Sequence, residues 1–547
     1  MHIDSSSVTR KGKTYTRHLL RNSYRENGKV KHDTIANLSH CSDAEIAAMK
    51  LALKHKSDLG VLSGKPSIDI IQGKSVGAVL LLQAIAKRIG LIQALGNDRM
   101  GKLALWQVLA RIIDQGSRLS AVRLAMQHSL SPLDLGAFNE DCLYDNLDWL
   151  CEHQEVIENR LFQLLPNKNA RLFLYDVTSS YLEGECNELA EFGYNRDGKK
   201  GKRQIVIGLL CNSEGIPLTV QVFEGNTQDP KTLEEPISKA KERFGVTEVV
   251  FVGDRGMIKS TQIETIKAHG YNYISAITKP QIETLIKKGV VQLSFFESEL
   301  MEVQDGKIRY ILRRNPARVA EMEDQKRSKF ETLKRKVSQS NQYLQEHPKA
   351  QPKTQATRLN NKAKQLKINT WVTILQADRS FSVEINEAAL AEASKFDGCY
   401  VLKTELRAED MSAWDVHDRY KDLALVEQAF RTFKTTHLDL RPIYVRRESR
   451  TRGHVFVVML AYRLIIELKK YWATLDITPE EAVSALTTLC LHETILNNTS
   501  LGQSIPKPNE LVARLFKEAK VSIPRTVESD KEKVYTKMTL PKHRKKR

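Results

Sequence analysis

Apolar positions change period several times along the 547 residues, and each change marks a different kind of element. Residues 14–38 alternate and contain Asn27-Gly28, the strongest short hairpin signal, because a type I′ turn needs positive φ at both central residues. From Asp43 to about Leu165 the period turns helical. The clearest stripes lie at 77–89, 103–114 and 143–165, punctuated by Gly90, Gly101 and Gly116. At Arg171 the texture switches again. LFLYD (172–176) is a short apolar run ending in an acid, and QIVIGLLCN (204–212) and IPLTVQVFEGN (216–226) form an antiparallel pair around Ser213-Glu214-Gly215. A polar helix (232–244) leads to EVVFVGDRGM (248–257), a second apolar strand ending in an acid. A helix (258–269) and a strand (271–277) follow. Three adjacent strands and then alternating helix and strand imply a mixed α/β sheet.

Residues 279–400 interrupt that pattern. A strand (307–314) precedes a long polar helix (317–346) opened by Pro316, and Pro348 and Pro352 break the chain before a basic helix (355–367) turns back. Strands at 370–376 and 380–385, a helix at 387–394 and a strand at 398–406 complete the stretch. The next segment, Asp418–Lys434, carries Tyr420, Glu427 and Lys434 at seven-residue intervals. That is nearly two helical turns, so one continuous helix would project all three from a single face. Leu423, Val426, Ala429, Phe430 and Phe433 supply its apolar stripe. An apolar helix (455–468) is expected under the sheet, and the basic PKHRKKR (541–547) reads as a disordered tail.

The expected divisions are therefore 1–60, hairpin and helix; 61–168, a helical DNA-binding or oligomerisation region; 169–278, the first part of the sheet core; 279–400, an insertion with a helical arm; 401–475, the second part of the core; and 476–547, a C-terminal helical region and tail.

Charge narrows the partners. Lys and Arg number 84 against 66 Asp and Glu, a net +18, which favours a polyanion. Arginines crowd the first hairpin (Arg17, Arg21, Arg25) and the segment 441–454. Short helices with Arg111, Arg118 and Arg123 nearby could form a helix-turn-helix that reads a terminal DNA sequence, although helical bundles with surface arginines are far commoner. Seven dispersed cysteines without a C-x-x-C pair argue for reduced thiols and against a zinc site. No apolar run approaches the length of a membrane span, and the N-terminus lacks an apolar signal core, so a cytoplasmic protein with no membrane role is expected.

Asp176 and Asp254 end apolar strands, where a sheet holds a carboxylate rigidly and leaves it open to solvent. Magnesium takes oxygen ligands and keeps several waters, so a few such groups suffice, and two ions can share one phosphodiester between them. Each aspartate alone also fits a cap or tight turn.

Taken together, LFLYDVTSSY, VVFVGDRGM and Y-x2-L-x3-E-x6-K resemble the DDE transposases of bacterial insertion sequences, specifically the insertion sequence 4 superfamily with its Y-x2-R-x3-E-x6-K signature. Tyr420, Glu427 and Lys434 match, and Leu423 replaces the arginine. The resemblance runs from the first hairpin through EGNTQD to FRTFK and the Gly-His pair at 453–454, most of the chain. It implies a ribonuclease-H-like core with Asp176, Asp254 and Glu427 as catalytic metal ligands, and a large insertion before the glutamate. Two Mg2+ ions, replaceable by Mn2+, would bind. Tyr420 and Lys434 would contact DNA phosphates, with Arg431 and Arg255 as further DNA-binding candidates and Thr178 in support. The partner the resemblance implies is double-stranded DNA, both element ends and target, bound by a homodimer or higher multimer. The implied reaction is cut-and-paste transposition from terminal inverted repeats. It conserves phosphodiester energy and needs no nucleotide triphosphate, in keeping with the lack of a G-x-x-x-x-G-K-[ST] loop.

Overall fold

The computed structural model describes residues 1–57, 68–165, 172–184, 186–194, 196, 198–199, 201–233, 236–237, 249–254, 257–435, 438–440, 443–496, 499–526 and 534–536. The polar helix expected at 232–244 falls largely outside these residues, as does the basic tail. The chain divides into two compact units. One comprises Met1–Leu81, Leu124–Ala137 and Glu481–Val534; the other comprises Leu82–Arg123, Phe138–Glu480 and Tyr535–Arg547.

In the first unit the expected hairpin is present, with Asn27 at φ 48° and Gly28 at φ 76°. It is part of a larger sheet: His2–Arg10, Lys13–Glu26 and Lys29–Asn37 form a three-stranded antiparallel ribbon. The helix Asp43–Lys54 follows, opened by a capping box between Ser42 and Glu45. The helical pattern read from Asp43 to Leu165 is broken by a strand, Ile68–Ser75. It pairs antiparallel with Cys490–Leu496, which pairs in turn with Thr499–Ser504. The C-terminal region thus contains strands as well as helices.

The second unit is built on an eight-stranded mixed sheet. Its strands, in chain order, are β1 (Leu172–Tyr181), β2 (Gln204–Asn212), β3 (Pro217–Glu224), β4 (Val250–Gly253), β5 (Asn272–Ala276), β6 (Met301–Asp305), β7 (Ile308–Arg314) and β8 (Cys399–Thr404). Their spatial order is β6-β7-β8-β5-β4-β1-β2-β3. The β1-β2-β3 meander is antiparallel, and β4 and β5 run parallel to β1. That is the mixed arrangement the alternation predicts. Strands β6 to β8, drawn from either side of the arm, extend the same sheet beyond β5.

Side chains alternate across the sheet. On β1, Phe173, Tyr175 and Val177 enter a core with Val206, Leu210, Phe251 and Tyr273. Leu174, Asp176 and Thr178 therefore belong to the opposite face. The arm leaves from β7 as the helix Pro316–Glu346, returns as Pro352–Leu366, and is closed by a small sheet of Val372–Ala377 and Ser380–Ile385. The apolar helix is longer than its hydrophobic run, Glu448–Tyr471. The close approach of its Gly453 to the Leu147 carbonyl fixes it against Glu140–Gln163. Among the described residues no helix is long and apolar enough to cross a membrane.

Candidate active site

Asp176 does not end its strand. β1 continues through Val177–Tyr181, and Asp176 pairs with Leu209 of β2 in mid-strand. Ser179 and Ser180 are small enough to be buried completely, so the polar sequence VTSSY does not break the strand. Asp254 does follow its strand directly. The parallel register pairs Leu172 with Val250 and Leu174 with Val252. Asp176 and Asp254 each lie two residues beyond the latter pair, so they reach the same level of neighbouring strands. Adjacent strands are about 4.8 Å apart, which explains the electrostatic coupling of the two carboxylates.

The third acid arrives on a helix, Leu423–Lys434. Val426, Ala429 and Phe433 are fully buried and Phe430 nearly so, as the apolar stripe predicts. Burial of each large side chain favours docking by about 1.5–3 kcal/mol. Glu427 and Arg431 stay exposed. The Lys434 ammonium donates a 2.6 Å hydrogen bond to Thr178 Oγ1, so the helix crosses the sheet face that Asp176 shares.

Tyr420 is on a separate helix, Ala413–Lys421, rather than on the one expected continuous helix. Asp422 joins the two: it keeps helical dihedrals (φ −61°, ψ −14°), but Leu425 N–H bonds back three residues to its carbonyl rather than four. The tighter turn redirects the chain. Tyr420 nonetheless reaches the acids, its hydroxyl donating to Asp254 Oδ1 at 3.2 Å. Leu423, in the position of the signature arginine, packs into the apolar stripe. Arg419 holds Asp422 at 3.2 Å. Arg255 lies outside the described residues.

Burial pushes the Asp176 carboxyl up to about 7; the Val177 amide opposes the rise, the Asp254 carboxylate adds to it, Arg196 opposes it and Glu427 adds to it. Asp254 and Glu427 therefore both act on Asp176, although the three come from distant parts of the chain. Arg196 had no signal in its sequence spacing. Its backbone N–H donates to Ser179 Oγ at 3.0 Å, and its guanidinium pairs with Asp229.

Among the described residues no three His, Cys, Asp or Glu side chains are gathered closely enough to hold a metal ion between them. The donor chemistry nevertheless fits a hard divalent cation. The ligating atoms on offer are carboxylate oxygens, and Asp254 and Glu427 each add to the rise that burial gives Asp176, negative charge that a cation would neutralise.

Two of the arginines considered for DNA reading are turned inward. Arg111 and Arg118 are 4% and 5% exposed, so they cannot form the recognition surface of a helix-turn-helix.

Comparison with known proteins gives the family. The family model described as the transposase DDE domain matches residues 167–464, more than half of the chain. The model of the N-terminal domain of IS1634 family transposases matches residues 3–60. The comparison with curated proteins gives no match. Among solved structures there is a faint likeness to the piggyBac transposase in its synaptic complex with hairpin DNA. Identity is 8% and TM-score 0.34, over 70% of this chain and 69% of that one. The match across the catalytic region identifies the chain as a member of the DDE transposases of bacterial insertion sequences, enzymes that cleave DNA and transfer its strands.

Proposed function

We propose that the protein carries out cut-and-paste transposition, binding the terminal inverted repeats of its element and using Asp176, Asp254 and Glu427 as the catalytic carboxylates. The observation that carries this reading is the register that brings Asp176 and Asp254 level on neighbouring strands while Glu427 acts on Asp176 from the facing helix.

The three carboxylates would hold two Mg2+ ions, for which Mn2+ can substitute. Bound there, divalent cations supply Lewis-acid stabilisation of the charge that builds on the phosphodiester oxygens during in-line displacement. The rest falls to the chain. Asp176, fixed in mid-strand, and Asp254, oriented by the Tyr420 hydroxyl, form the rigid side of the site. Glu427 is exposed and has several rotatable bonds, so it is the ligand free to close on them. Lys434, anchored at Thr178 on the same sheet face, places a compact positive charge beside a DNA phosphate. Tyr420 and Arg431 contact the backbone on either side of it. A water attacks first and frees a 3′-hydroxyl at each element end. That hydroxyl then attacks the target in a second displacement at the same site. A homodimer or larger multimer holds both ends.

A strand-transfer assay with pre-cut inverted-repeat ends tests the reading. Joining of the 3′-hydroxyl to target DNA is expected with Mg2+ or Mn2+, and its loss in Asp176→Asn, Asp254→Asn and Glu427→Gln. Hydrolysis without joining would reduce the protein to a nuclease, and activity retained in these variants would remove the triad.

A further inference from the structure

A second concave site lies apart from the three acids. A cavity of about 170 Å³ opens beside the loop between the helices Arg99–Ile113 and Arg118–Gln127, with Arg111, Arg118, Ser117, Tyr144, Tyr444 and His454 among its lining residues. It has room for on the order of five water molecules.

Both guanidiniums at its wall are almost wholly buried, yet neither forms an ion pair with a carboxylate among the described residues. Arg111 donates from Nη1 to the carbonyls of Gln115 and Asp439 and from Nη2 to that of Gly116. Its Nε is buried with no hydrogen-bond partner. Arg118 donates to Gln107 Oε1. A guanidinium carries five N–H donors, so most of this pair's donors remain for something else. Burial pushes Arg111 down to about 10 and Arg118 down to about 9, the latter also through repulsion from Arg111. Asp439 and Asp114 attract Arg111 only at longer range. Two adjacent buried cations with no carboxylate paired directly to either are costly. Neutral partners surround them: His454, held neutral chiefly by burial, donates to or accepts from no acid and lies against the Leu440 carbonyl. Ser117, Tyr144 and Tyr444, each bearing a hydroxyl, are also among the lining residues.

We propose that this cavity is a binding site for a phosphate-type oxyanion, seated on Arg111 and Arg118. Planar guanidiniums match the oxygens of a phosphate in a bidentate manner. The N-terminus of the helix that begins at Arg118 adds amide donors on the same side. The site is independent of the catalytic reading and would exist in a protein whose three acids were inert. Two sources share this chemistry, a free phosphate ion and the terminal phosphate of a DNA strand.

The test uses the full chain and inorganic phosphate. Thermal unfolding is followed against phosphate concentration, with chloride at matched ionic strength as the reference. Phosphate is expected to raise the melting temperature saturably, and Arg118→Gln to weaken its apparent affinity at least about tenfold. Arg118→Lys, which keeps the charge but not the fork, is expected to fall between. No stabilisation beyond that of chloride in the wild-type chain overturns the proposal, whatever the variants do. Undiminished phosphate affinity in a folded Arg118→Gln protein overturns it too. Repeating the titration with a duplex bearing either a 5′-phosphate or a 5′-hydroxyl assigns the source. Competition by the phosphorylated duplex alone identifies a DNA end, and competition by neither identifies the free ion.

Discussion

Replacing Asp176 by Asn should stabilise the protein while abolishing its chemistry. An acid whose carboxyl is raised in the fold is one that the fold prefers neutral. The penalty is absent below its ordinary value of 3.8 and fully present above about 7. In between it grows by about 1.4 kcal/mol per pH unit. The full shift corresponds to an upper bound of about 4 kcal/mol, and partial access to water reduces this to about 2 kcal/mol. Asparagine keeps the shape and the acceptor facing the Val177 amide but carries no charge for Asp254 and Glu427 to repel. In a unit of this size about 2 kcal/mol raises the melting temperature by roughly 2 °C. The assay is calorimetric unfolding of wild type and Asp176→Asn in EDTA at pH 8 and pH 4. The variant should melt higher at pH 8, and the gap should close at pH 4. Adding Mg2+ at pH 8 should raise the wild type by mass action on the folded state and leave the variant nearly unmoved. A variant no more stable than wild type at pH 8 without metal would refute the electrostatic argument. Equal Mg2+ stabilisation of both proteins would refute the assignment of Asp176 as a ligand.

Tyr420→Phe removes the donor to Asp254 while keeping the ring. Strand cleavage should slow by roughly tenfold, with a higher Mg2+ requirement and an unchanged melting temperature, read from single-turnover cleavage across a Mg2+ series. Lys434→Met should weaken binding to all duplexes alike and lower by about one the slope of log affinity against log salt. Phe433→Ala empties a fully buried position under the Glu427 helix and should cost about 3–5 kcal/mol in denaturant unfolding. Gly453→Ala places a Cβ 2.2 Å from the Leu147 carbonyl oxygen, a backbone atom that cannot rotate away. A loss of about 1–3 kcal/mol is expected by the same measurement.

Local signals gave most of the elements, and long-range pairing decided the rest. The Glu427 helix was legible because five apolar positions recur at helical spacing and all five become buried. The apolar strands that end at or pass through the aspartates were equally plain. Ile68–Ser75 was hidden because its partner lies more than four hundred positions away and its residues stay mostly exposed, so no alternation betrays it. The continuation of β1 past Asp176 was hidden for the opposite reason. Its threonine and serines look like a loop but are small enough to be covered from both sides. The seven-residue spacing of Tyr420, Glu427 and Lys434 located the cluster, yet it placed Tyr420 on one straight helix. The tightened turn at Asp422 depends on what each helix docks against, and no single-helix period contains that. Arg196 could not be found from spacing, since its charge acts on Asp176 only once the sheet is folded. The arginines at 111 and 118 were visible as charges, but burial reversed their meaning.

The arm begins and ends at one place. Arg314 and Cys399 are cross-strand partners, and the Asn315 amide donates to the Gly398 carbonyl at 2.9 Å. Everything from Pro316 to Asp397 is thus a detour between two points already hydrogen-bonded to each other. Lengthening or trimming such a detour changes loop entropy only slowly and leaves the register of the flanking strands untouched. The excursion is accordingly a cassette, open to exchange during descent while the chemistry next door keeps its geometry.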